Sequence, residues 1–170
     1  AAPAPISSPP LVTLTRPEHT IIIWDWDDTL MCSSAINRNR LPEESIRQLE
    51  PLLEQVLVLS SRLGDTLVVT NADDLWVYES TRRFAPRVLP LLSHLAILSA
   101  RRKHEAAFPN DVFAWKRETF REVLSTRSGS GLNLVVLGDS PSEIEAAYSS
   151  THGLGLHPLI VKTVRFKEQP

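Results

Sequence analysis

Apolar positions along this chain gather into short β-branched runs, and between the runs they recur at helical spacing. The strongest run is Ile21-Ile22-Ile23-Trp24, too brief for a helix and typical of a strand buried on both faces. Thr66-Leu67-Val68-Val69-Thr70, His94-Leu95-Ala96-Ile97-Leu98-Ser99, Leu132-Asn133-Leu134-Val135-Val136-Leu137 and Leu159-Ile160-Val161 read as further strands. The intervals between them read as helices. Leu41-Pro42-Glu43-Glu44 opens one, with Pro near its start and acids in its first turn, and Pro51 is placed to kink or divide it. Gly64-Asp65 turns the chain into the second strand. Asn71-Ala72-Asp73-Asp74 caps a helix that runs through Trp76, Val77 and Phe84 until Pro86. An amphipathic helix runs from Asp111 past Trp115, Phe120 and Leu124 to a turn at Ser128-Gly129-Ser130-Gly131. Pro141-Ser142-Glu143 begins another, and His152-Gly153-Leu154-Gly155 turns the chain into the last strand. This alternation predicts an α/β, doubly wound, Rossmann-like parallel sheet flanked by helices.

Ahead of the first strand, Pro3, Pro5, Pro9, Pro10 and Pro17 stand among Ala, Ser and Thr. Residues 1–18 are therefore expected to be an extended segment, with Leu11, Val12 and Leu14 able to dock, and residues 19–170 a single domain. Composition narrows the function. A net charge of −2 offers no electrostatic case for nucleic-acid binding. Cys32 is the only cysteine, which excludes an intrachain disulfide and a thiolate zinc site, and the five histidines show no metal-ligand spacing. With no apolar run of membrane-spanning length and no signal-peptide pattern, the expectation is a soluble, cytoplasmic protein.

The chemistry gathers where strands end. The first run breaks into Asp25-Trp26-Asp27-Asp28-Thr29-Leu30, the second ends at Thr70, and the fourth ends in Gly138-Asp139-Ser140. In a parallel sheet these ends share the edge where open α/β folds bind ligands. Asp25 and Asp27, two positions apart, supply oxygen ligands for a divalent cation, or one nucleophile and one proton carrier. The same residues also suit a plain acidic turn. Trp24 reads as core, Trp26 as the tryptophan able to line a pocket, and Trp76 and Trp115 as packing. Arg101-Arg102-Lys103 follows the third strand, as an anion grip or a solvated cluster, and Cys32 reads as a small apolar residue.

In order and spacing these motifs resemble the haloacid dehalogenase (HAD) superfamily of phosphohydrolases. Asp25-Trp26-Asp27-Asp28-Thr29-Leu30 is similar to the first motif, Asp-x-Asp-x-Thr-Leu after an apolar strand. Thr70 matches the second motif, Lys116 suits the third, with Lys103 and Lys162 as rivals, and Gly138-Asp139-Ser140-Pro141-Ser142-Glu143 resembles the fourth. The resemblance implies that Asp25 attacks phosphorus and Asp27 carries the proton. It implies Mg2+ held by Asp25, Asp139 and the main-chain carbonyl of Asp27. Thr70 and the adjacent amide of Asn71 would hold phosphate oxygens, and Lys116 would neutralise charge. An aspartate at the second position of the first motif favours phosphoryl chemistry over dehalogenation. One position departs: the second acid of the fourth motif, commonly Asp four residues after the first, is Glu143 here, which would reach the metal through water or fix the lysine. Residues 31–41 and 100–110 are too short to fold into a cap, so the resemblance implies an open site and a large substrate such as a phosphoprotein. The alternatives are a phosphotransferase of the same fold and a binding module without turnover.

Overall fold

The computed structural model describes residues 16–127, 131–155 and 159–167. Most of the proline-rich segment and Ser128-Gly129-Ser130 of the expected turn lie outside the described residues. Strand β1 (Thr20–Trp24) is buried along its whole length, as its unbroken apolar run requires. It is the middle of a five-stranded sheet with β2 (Asp65–Thr70), β3 (Ala96–Ser99), β4 (Leu132–Gly138) and β5 (Leu159–Arg165), in the order β3-β2-β1-β4-β5. Every pairing is parallel; Ile22 lies opposite Thr66 on one side and Val135 on the other.

Alternation along β1 divides the core between two layers. Ile22 and Trp24 pack with Leu53, Leu57, Val77 and Phe84, from α3 (Glu50–Leu63) and α4 (Asp74–Phe84). Ile21 and Ile23 face the other way, with Trp115, Phe120 and Leu124 of α7 (Val112–Ser125) and Ala146 and Ala147 of α8 (Pro141–Ser149). Each fully buried side chain of this kind contributes roughly 1.5–3 kcal/mol. The winding reverses direction at β1, because β2 and β3 build outward on one side and β4 then crosses to the other. That reversal opens a crevice beyond the C-terminal ends of β1 and β4, where Asp25 and Asp139 follow directly.

Several elements refine the expectation. Pro51 sits in the first turn of α3, so the long helix expected after Pro42 is split into α2 (Glu43–Arg47) and α3. β3 starts at Ala96, not His94, because the amides of His94 and Leu95 close the turn of α5 (Leu89–Leu92) on Leu91 and Leu92. Two short helices lie in the stretches expected to be too short for a cap: α1 (Ser33–Asn37) after the first motif and α6 (Ala100–His104) after β3. No helix among the described residues is long and apolar enough to cross a membrane.

Candidate active site

Lys116 is the centre of the site. Asp111 caps α7 by accepting from the Ala114 amide, and the helix then directs the Lys116 side chain inward until it is 1% exposed. A buried ammonium is tolerable only when fully partnered. Its Nζ donates to Asp25 Oδ1 at 2.6 Å and to the Val69 carbonyl at 2.5 Å, and lies 2.9 Å from Glu143 Oε1. The start of α8 aims Glu143. Ser140 is the N-cap and Glu143 the third residue of a capping box, so Glu143 Oε2 accepts from the Ser140 amide at 3.0 Å. Ser142 Oγ donates to the other oxygen at 3.0 Å. Gly138 makes room, since a Cβ there would lie 2.6 Å from Glu143 Cγ. Glu143 therefore fixes the lysine, one of the two roles expected for it.

Asp27 faces a different set of groups. Its Oδ1 accepts from Ser33 Oγ at 2.6 Å and Trp76 Nε1 at 2.9 Å, and its Oδ2 from Thr70 Oγ1 at 2.9 Å. Thr70 is fully buried, and its oxygen accepts from the Ala72 amide at 2.9 Å. Its hydroxyl proton goes to Asp27. Asp28, at φ 54°, turns away and accepts from the amide and hydroxyl of Ser34, capping α1. Thr29 Oγ1 lies 3.4 Å from Asp25 Oδ2.

One oxygen from each of Asp25, Asp139 and Glu143 lies within 4.8 Å of the others. These are hard oxygen donors, the set that suits Mg2+ or Ca2+. The Asp27 carboxylate is not among them, because its three donors hold it elsewhere; only its main-chain carbonyl is left for the expected metal role. Charge also fits a cation, since three carboxylates face one ammonium. Burial, with Glu143 and Asp27 adding to it, pushes the Asp25 carboxyl up to about 7 against the pull of Lys116. Burial and then Glu143 raise Asp139 as well. Burial works to lower the Lys116 pKa, but Asp25 and Glu143 outweigh it and hold the ammonium above its ordinary value.

Other expected residues fall as follows. Asn71 Nδ2 donates to the Val112 carbonyl at 3.5 Å, tying the end of β2 to the start of α7. Trp26 does not line a pocket. The amides of Leu30 and Met31 close a tight turn on its carbonyl, and its ring is fully buried with Nε1 donating to Ser80 Oγ. Trp24 is core, bonded to Ser60 Oγ, Trp115 donates to the Phe108 carbonyl, and Cys32 is buried. The basic cluster is paired outward: Arg101 with Glu105, Arg102 with Asp74, Lys103 with Glu122. Lys162 is exposed on β5, so of the three candidate lysines only Lys116 enters the site. Trp76 and Ser33 were not foreseen. The available signal was position: Trp76 stands in the first turn of the helix that follows Thr70, and that turn must lie at the active edge.

No family model and no curated protein matches the chain. Among solved structures, the crystal structure of the Legionella pneumophila effector Ceg4, with an N-terminal TEV protease cleavage sequence, is similar in fold. It aligns over 91% of this chain and 88% of that one, with a TM-score of 0.55 and 14% sequence identity. At that identity the likeness is one of fold alone.

Proposed function

We propose that this protein is a magnesium-dependent phosphatase of the HAD type, hydrolysing phosphate monoesters through an aspartyl-phosphate on Asp25. The observation that carries the reading is the buried Lys116 ammonium. It binds Asp25 and Glu143 at the sheet edge, in the crevice where Asp139 adds a third carboxylate and Asp27 stands ready with Thr70. Phosphoryl transfer asks a protein mainly for positioning and charge neutralisation, and this arrangement offers both.

Lys116 occupies Asp25 Oδ1 and leaves Oδ2, with its long contact to Thr29, as the attacking oxygen. As Oδ2 bonds to phosphorus, the bond to the leaving oxygen breaks and Asp27 gives that oxygen a proton. Asp27 then takes a proton from water, whose oxygen attacks phosphorus, and Asp25 and inorganic phosphate are released. Asp25 and Asp139, with the Asp27 carbonyl, would hold Mg2+, which when bound neutralises charge between the nucleophile and the phosphate. The Lys116 ammonium does the same from the protein side. Residues 31–41 and 100–110 contribute only the short helices α1 and α6 beside this edge. That supports an open site and a large substrate such as a phosphoprotein.

Turnover of p-nitrophenyl phosphate tests the reading. It should stop in chelator and return with Mg2+; full activity in chelator would overturn the mechanism.

A further inference from the structure

Three donors converge on the Asp27 carboxylate, and they divide unevenly between its oxygens. Ser33 Oγ and Trp76 Nε1 both donate to Oδ1, at 2.6 and 2.9 Å, while Thr70 Oγ1 alone donates to Oδ2, at 2.9 Å. An ionised carboxylate offers about two lone-pair sites on each oxygen. Oδ1 is therefore filled, and Oδ2 keeps one site. Building on the phosphatase reading above, we propose that Trp76 and Ser33 are positioning residues: by filling Oδ1 they leave Oδ2 of Asp27 as the atom that carries the proton.

Both donors are set by local structure. Ser33 is buried at the first position of α1. Asp73 caps α4 through the Leu75 amide at 2.9 Å, and the Trp76 amide closes on the Asp73 carbonyl at 3.0 Å, which fixes where the indole leaves the helix. Trp76 also packs against the core layer of α3 and α4, and its Nε1 lies 3.3 Å from Ser33 Oγ, so the two donors are mutually held.

The consequence follows the proton. When the leaving oxygen departs, the proton on Oδ2 passes to it, and Asp27 becomes an anion already met by three donors. Hydrogen bonds to an ionised group are about twice as strong as neutral ones, so the clamp strengthens as the proton leaves. When water attacks the aspartyl-phosphate, Oδ2 recovers a proton and the clamp relaxes. Without the indole N–H, Oδ1 has an open site and the carboxyl can rotate or protonate at the wrong oxygen.

The test compares two esters. The p-nitrophenolate leaving group departs as a stable anion, whereas a simple alkyl phosphate needs its leaving oxygen protonated. Trp76→Phe keeps most of the packing and removes the donor. The ratio of kcat/KM for p-nitrophenyl phosphate to that for the alkyl phosphate should rise about 10–100-fold in this variant, part of the ~10²–10⁴-fold that a positioned proton carrier supplies. Ser33→Ala removes the other donor to the same oxygen and should shift the ratio in the same direction, which keeps the test decisive if Trp76→Phe folds poorly. A merely structural role would lower both values alike, and an unchanged ratio in both variants overturns the positioning role. Wild-type protein that hydrolyses neither ester with Mg2+ would overturn the phosphatase reading, and this role with it.

Discussion

Replacing Lys116 with Met tests whether the site is held together as a charge cluster. Methionine fills most of the lysine's volume without the ammonium, so the packing of α7 is nearly kept. Asp25 Oδ1, Glu143 Oε1 and the Val69 carbonyl all lose their shared donor. Breaking a buried ion pair by removing one partner costs about 3–5 kcal/mol, because the other charge stays buried. Here two carboxylates are stranded, each under 10% exposed, so the upper part of that range applies at alkaline pH. For a domain of this size about 2–4 °C of Tm accompanies each kcal/mol, so a loss of about 4–5 kcal/mol gives a drop of ~8–20 °C. Thermal denaturation in chelator at about pH 8 measures it. Repeating the scan at about pH 5 should shrink the deficit, because Asp25, whose carboxyl burial raises to about 7, then takes up a proton instead of staying charged. A variant within about 1 kcal/mol of wild type at the higher pH would refute the cluster as described.

Two further outcomes follow from the same geometry. Gly138→Ala places a Cβ 2.6 Å from Glu143 Cγ and 2.9 Å from its Oε2, so it should displace the carboxylate that fixes Lys116. The expected loss is about 1–3 kcal/mol in a urea titration together with weaker apparent Mg2+ affinity, and a variant indistinguishable in both would contradict the close packing. The second outcome concerns pH. Asp25 is raised from 3.8 to about 7 in the folded protein, so between those values the folded state holds a proton that the unfolded chain has released. In chelator this group's contribution should fall as pH rises from about 4 through 7, the opposite of a salt-bridged aspartate. Asp25→Asn should lack that component, and identical pH profiles of Tm for the two proteins would show that the shift is absent.

How much of this was legible in the sequence depended on whether backbone or side chains decide. The run Ile21-Ile22-Ile23-Trp24 and its carboxylates place Asp25 at the edge of a buried strand, since strand burial and sheet polarity are backbone matters. Thr70 and Asp139 came with it for the same reason. Glu143 was legible as an acid at the start of a helix that would reach the metal through water or fix the lysine, but the capping box that aims it and the room that Gly138 leaves by lacking a Cβ were not. Trp26 was misread because alternation along a strand stops where the strand stops. The turn that follows tucks the ring into the core beside Ser80. Trp76 was passed over because its helical position suits packing, and nothing in spacing reveals where an indole N–H will point. Thr70 was expected at this edge, but its hydrogen bond to Asp27 was not legible, because it joins residues 43 apart in the chain.

The central claim is that Asp25 is the nucleophile. The most direct test is the rate of p-nitrophenyl phosphate hydrolysis by Asp25→Asn beside wild type, both with Mg2+ and with matched thermal stability at low pH. Loss of the nucleophile predicts turnover reduced by more than about 10³-fold, because the covalent route is closed. Activity within about tenfold of wild type would contradict it, and the aspartyl-phosphate mechanism would fall with it.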